Sequence, residues 1–112
     1  MAEITDEYMR EMLGRSRAYC VLLLKGTAKL QEPDAMSIVW EHGRRNFALR
    51  ADGRLPIVCR VTDDSGWAGV GIFTGTVDEV TAIMDEDPGV KAGLFTYEVL
   101  PVSSFPGSCL PD

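Results

Sequence analysis

The stretch Asp85-Glu86-Asp87-Pro88-Gly89-Val90-Lys91-Ala92-Gly93-Leu94-Phe95-Thr96-Tyr97-Glu98-Val99-Leu100-Pro101 sets a helix end, an enforced break and a strand side by side. Pro88 has no amide hydrogen and disfavours helical backbone in the residue before it, so a helix arriving at Asp87 has to stop or restart there. Gly89 to Ala92 have room for one more turn, Gly93 suits a left-handed cap, and Leu94 to Val102 reads as a strand. Asp87 is thereby a carboxylate pinned at a helix-to-strand corner, and the first candidate for chemistry.

Toward the N-terminus, Thr76 and Glu79 make a Thr-x-x-Glu capping box. It opens the helix that ends at this corner, with Val77, Val80, Ile83 and Met84 directed at the core. Leu55 to Thr62 and Trp67 to Thr74 are two strands joined by Asp63-Asp64-Ser65-Gly66, which has the composition of a hairpin turn. Ile57, Cys59 and Val61 share a face of the first strand. Trp67, Gly69, Gly71 and Phe73 share a face of the second, where the glycines leave space for another side chain or a ligand. Asp34 or Ser37 caps a longer helix ended by Gly53, and its apolar positions Met36, Val39, Trp40, Gly43, Phe47 and Ala51 follow a period near 3.6 residues. Ala18 to Lys25 is apolar at nearly every position, the pattern of a strand buried on both faces.

The order is β-α-β-β-α-β, which predicts an α+β ferredoxin-like sandwich: a four-stranded antiparallel sheet with both main helices on one face. The domain proper spans residues 18–102. Residues 1–17 precede it as an acidic extension with a short amphipathic helix carrying Tyr8, Met9, Met12 and Leu13, and residues 103–112, with Pro106, Gly107 and Pro111, follow as a tail. The second apolar face of the first strand needs cover. The economical cover is the same face of another copy, which predicts a homodimer, sheet against sheet or completing a barrel.

With 46% hydrophobic and 25% charged residues, the 112-residue chain has the composition of one globular domain. Its net charge of −6 argues against nonspecific nucleic-acid binding, which relies on clustered Lys and Arg. No apolar run approaches the roughly 20 residues that span a bilayer, so no membrane partner is expected, and Asp6, Glu7 and Glu11 near the start lead to a cytoplasmic expectation. Cys20, Cys59 and Cys109 are scattered and only one histidine is present, so no metal or other cofactor is called for. Cys20 and Cys59 sit in apolar strands and are expected to be buried and inert.

His42, the only histidine, takes any role that needs imidazole. On a helical wheel it neighbours Ile38, Val39, Arg45, Asn46 and Leu49, at the flank of the predicted core stripe. A lone histidine there is most often a polar residue with a satisfied hydrogen bond, and an Asp before Pro most often just caps a turn. Because both helices lie on one sheet face, the corner carrying Asp87 is able to approach His42, and a carboxylate beside an imidazole orients it and supports its charged form.

The run His42-Gly43-Arg44-Arg45-Asn46-Phe47-Ala48-Leu49-Arg50-Ala51-Asp52-Gly53-Arg54-Leu55, followed by Asp87-Pro88-Gly89-Val90-Lys91-Ala92-Gly93 and then Tyr97-Glu98-Val99, resembles the YCII-related (YciI-like) family over residues 18–102. In that family a His on the first helix stands eleven residues before a Gly-Arg-Leu, and an Asp-Pro-x-Val-x-Ala-Gly run joins the second helix to the last strand, as here. The resemblance implies a dimeric ferredoxin-like α+β barrel with a His and Asp pair in a pocket, matched by His42 and Asp87. The family is related in fold to muconolactone isomerase and includes a dehydrochlorinating member, while most members have no assigned reaction. The chain departs from the pattern where Cys59-Arg60-Val61 replaces a Gly-Pro that borders the pocket in the family.

Two functions follow as expectations. One is a small-molecule enzyme using His42 for general acid-base chemistry with Asp87 as orienting partner, isomerising or eliminating from a polar or cyclic metabolite, with Arg45, Ser37 and Arg60 as substrate-binding candidates. The other is a non-catalytic dimeric module that binds a ligand or a protein in the same place.

Overall fold

A computed structural model describes residues 1–112. In order, the chain forms α1 (Asp6–Gly14), β1 (Arg17–Gly26), a single 3-10 turn (Ala28–Gln31), α2 (Ala35–Ala51), β2 (Ile57–Arg60), β3 (Trp67–Phe73), α3 (Val77–Asp85), the one-turn helix α4 (Pro88–Lys91) and β4 (Phe95–Ser104). The strands make one antiparallel sheet in the order β2-β3-β1-β4. Helices α2 and α3 cover one face, the ferredoxin-like α+β arrangement. No helix is long and apolar enough to cross a membrane.

Local chemistry explains the element ends. Thr76 accepts the Glu79 amide at 3.2 Å and its hydroxyl donates to the Glu79 carboxylate at 3.1 Å, a capping pair that starts α3. Pro88 holds Asp87 extended, with ψ 132°, so α3 closes and α4 restarts one residue later. Gly93, at φ 76°, then turns the chain into β4. Thr27 fastens this corner to the end of β1: its hydroxyl donates to the Gly93 carbonyl at 2.6 Å and its amide to the Leu94 carbonyl at 2.9 Å. Asp34 is the N-cap of α2 but its side chain makes no capping bond, while Ser37 donates to the Asp34 carbonyl at 2.9 Å.

The core lies between the helices and the inner sheet face, around Cys20, Leu22, Leu24, Phe73, Val80, Met84 and Leu94. Space over Gly71 is filled by Leu55, whose Cδ1 lies 2.8 Å from where a Cβ would stand. Several expectations are corrected here. Strand β2 is short, and β4 runs to Ser104, two residues into the expected tail. A bulge between Leu24 and Lys25 takes Trp67 out of the alternation of Gly69, Gly71 and Phe73; it is exposed, with the Lys25 ammonium over its ring. Cys20 is buried, but Cys59, paired with Val70 on the outer face, is exposed.

The largest correction concerns α2. Its inner stripe is Ala35, Ile38, Val39, His42, Arg45, Asn46 and Leu49, and the expected core residues Met36, Trp40 and Phe47 are 71%, 70% and 67% exposed. The helix carries two stripes at helical spacing. The more hydrophobic one faces away from the sheet because the inner one gives three of its positions to polar side chains.

Candidate active site

These three polar side chains meet the Asp87 corner. His42 is 8% exposed and Asp87 is fully buried. The His42 Nδ1 lies 2.9 Å from both Asp87 Oδ1 and Oδ2. Oδ2 also accepts the amides of Gly89 at 3.0 Å and Val90 at 3.1 Å, so the carboxylate that caps α4 is the one that grips the imidazole. Arg45 Nη1 lies 3.8 Å from Asp87 Oδ1; this atom is buried and has no hydrogen-bond partner. On the other side of the ring, the Asn46 side-chain amide sits 3.2 Å from His42 Nε2. Phe95, the first residue of β4, packs against the imidazole at a centroid separation of 4.8 Å.

Burial pushes the Asp87 carboxyl up, but the hydrogen bond and charge of His42, the Val90 amide and the charge of Arg45 outweigh it and hold the group below the usual carboxylate range. Asp87 is therefore ionised near neutrality. An ionised carboxylate has no proton to give, so Nδ1 carries one and donates it to Asp87. In the neutral ring Nε2 then holds the free lone pair, and the Asn46 amide donates to it.

The structure thus brings together His42, Asp87 and Arg45. It does not bring in Ser37, which is exposed and bonded to Asp34, or Arg60, which is exposed with no hydrogen bond or ion pair to the site. Asn46 and Phe95 were not anticipated as site residues. A His-x-x-x-Asn spacing on one helix puts both side chains on one face and is the signal for Asn46. No sequence signal joins Phe95 to His42. No group of three or more His, Cys, Asp or Glu side chains lies together to hold a metal. Two surface clefts lie away from these residues: one of about 180 Å³ beside Leu23, Lys25, Trp67 and Tyr97, and one of about 380 Å³ beside Arg54, Glu79 and Ile83.

No protein-family model and no curated protein matches the chain. Among solved structures it is similar to 5-chloro-2-hydroxyhydroquinone dehydrochlorinase from Burkholderia phenoliruptrix AC1100, determined in complex with 2,5-dihydroxybenzoquinone. The TM-score is 0.50 at 20% identity, over 73% of this chain and 90% of that one. At this identity the likeness supports the fold, a ferredoxin-like α+β domain, and leaves the chemistry to the site.

Proposed function

We propose that the chain is a metal-independent enzyme of the YCII-related family that moves a proton on a small molecule, with His42 as base and then acid and Asp87 as its orienting partner. The observation that carries this reading is the buried Asp87 carboxylate bonded at 2.9 Å to Nδ1 of the one histidine. It keeps the ring proton on Nδ1 and presents the Nε2 lone pair as the proton acceptor. Taking a substrate C–H or O–H proton at Nε2 makes an imidazolium, whose charge the adjacent carboxylate stabilises. The electron pair left on the substrate either collects the proton at another atom, an isomerisation, or expels a leaving group as an anion, an elimination. Arg45 Nη1, buried and without a hydrogen-bond partner, suits an anionic oxygen of the substrate. Ser37 and Arg60 take no part in this proposal. Since the solved neighbour acts by its name on a chlorinated hydroxyhydroquinone, hydroxylated ring compounds are the class to test first.

The working form in this reading is a cytoplasmic homodimer closed through the sheet face that the helices leave open. Val70 and Leu100 on that face are 37% and 47% exposed, and Val21, Leu23, Ile57 and Ile72 are half-buried beside them.

One observation favours the alternative of a non-catalytic binding module: Nε2 is already engaged by Asn46 and the ring is almost covered. Exchange of substrate hydrogen for solvent deuterium, followed by proton NMR over a panel of hydroxyquinones and cyclic enols, separates the two. The enzyme reading expects exchange that falls by about 10²- to 10⁴-fold in His42→Gln. Ligands bound equally by both proteins, with no exchange in either, support the module.

A further inference from the structure

Two apolar helix surfaces in this chain have no partner within it. On α2, Met36, Trp40 and Phe47 form an outward stripe with Gly43 between the two aromatics, where nothing lies within 4 Å of the place a Cβ would take. On α1, which buries none of its residues, Tyr8, Met9 and Leu13 share one face, Ile4 stands just before the helix, and the four are each about half exposed, between 47% and 58%. The catalytic proposal uses neither surface. The open sheet face does not cover them either, because the α2 stripe points away from the sheet.

We propose that α1 of one copy docks on the outer stripe of α2 of a second copy, and reciprocally, across a two-fold axis. Charge selects this occupant. Helix α1 has Asp6, Glu7 and Glu11 against one arginine, and α2, Arg45 apart because it faces inward to Asp87, has Arg44 and Arg50 against one glutamate. Arg50 flanks the apolar stripe on α2 and Asp6 that on α1, neither in an ion pair, while Arg44 and Glu11, which flank the same stripes, are paired at the surface with Glu41 and Arg15, so crossing the helices sets opposite charges along an apolar seam. The area is also adequate. Large side chains of about 200 Å² exposed to these degrees give roughly 400 Å² on each surface. A reciprocal contact uses both surfaces of each copy, roughly 800 Å² per copy, the size of a standard specific interface. The gap over Gly43, between Trp40 and Phe47, is the socket for one large α1 side chain. Combined with the sheet-face dimer of the preceding section, this contact gives a tetramer of two-fold symmetry; without that dimer it gives a dimer.

Solution mass by light scattering at fixed protomer concentration tests this on the full chain. Gly43→Glu enters open space in the single chain, so the fold tolerates it, and it puts a charge in the socket. The contact requires that Gly43→Glu and the double variant Tyr8→Glu with Leu13→Glu each halve the mass of the assembly while circular dichroism stays unchanged. Leu23→Glu, on the open sheet face, reports on the other interface and separates failure of one from failure of the other. An unchanged mass in both helix variants overturns the proposal. So does a change in the α1 variant alone, which would seat α1 elsewhere, or a shift in Trp40 fluorescence in the α1 variant at unchanged mass, which would seat α1 on its own α2.

Discussion

Replacing Asp87 by alanine tests the site where its energetics and chemistry coincide. The substitution leaves the amides of Gly89 and Val90 without their acceptor and the His42 Nδ1–H buried without a partner. An N-cap carboxylate contributes about 1 kcal/mol, and a stranded buried donor costs about 1–3 kcal/mol. The sum, about 2–4 kcal/mol, overlaps the usual cost of about 3–5 kcal/mol for breaking a buried ion pair from one side. For a domain of this size it corresponds to a fall in melting temperature of about 8–16 °C. Urea unfolding followed by tryptophan fluorescence, at one protomer concentration because assembly stabilises by mass action, gives the value. A cycle with His42→Gln isolates the pair, with a coupling of about 1–3 kcal/mol expected. If Asp87→Ala costs less than about 1 kcal/mol, or the two substitutions are additive, the carboxylate is merely a turn cap and the imidazole is held by something else.

Further predictions concern the same neighbourhood. Asp87 lies below the usual carboxylate range when folded and near 3.9 when unfolded. Its contribution is therefore complete above the unfolded value and lost as pH falls through the folded one; acid titration of stability should be flatter in Asp87→Ala than in the native chain. In ¹⁵N NMR the single histidine should show its proton on Nδ1; Asn46→Ala leaves it there, Asp87→Asn moves it toward Nε2, and a proton on Nε2 in the native chain would contradict the assigned tautomer. A Cβ added at Gly89 would stand 2.6 and 2.7 Å from Phe95 ring carbons, so Gly89→Ala should lose about 1–3 kcal/mol in urea unfolding by displacing the ring that packs on His42. Burial and the 2.5 Å hydrogen bond to Asp85 push the Tyr97 phenol up to about 12. Ultraviolet titration should therefore show a late phenolate step that Tyr97→Phe removes and Asp85→Asn shifts to lower pH.

The corner from Asp85 to Pro101 was legible residue by residue, as were the Thr76 cap and the order of strands and helices. Each rests on rules that act over four residues or fewer: a missing amide hydrogen at Pro88, a left-handed backbone at Gly93, a hydroxyl reaching the Glu79 amide. His42 and Asp87 were legible as residue types with the right chemistry and, through the topology and the family resemblance, as an expected pair, but no local rule joins residues 45 positions apart and only packing of α2 beside α4 does so. The rotation of α2 was misread for a related reason. Hydrophobicity counts side chains without knowing what they face, and a helix whose inner stripe holds His42, Arg45 and Asn46 shows its greasier side to the outside. Trp67 likewise changed faces through a bulge that needs the partner strand to exist. Short-range stereochemistry is written in the chain order, whereas the choice between two helix faces is an energy difference that arises only when the sheet, the buried carboxylate and the helix are assembled together.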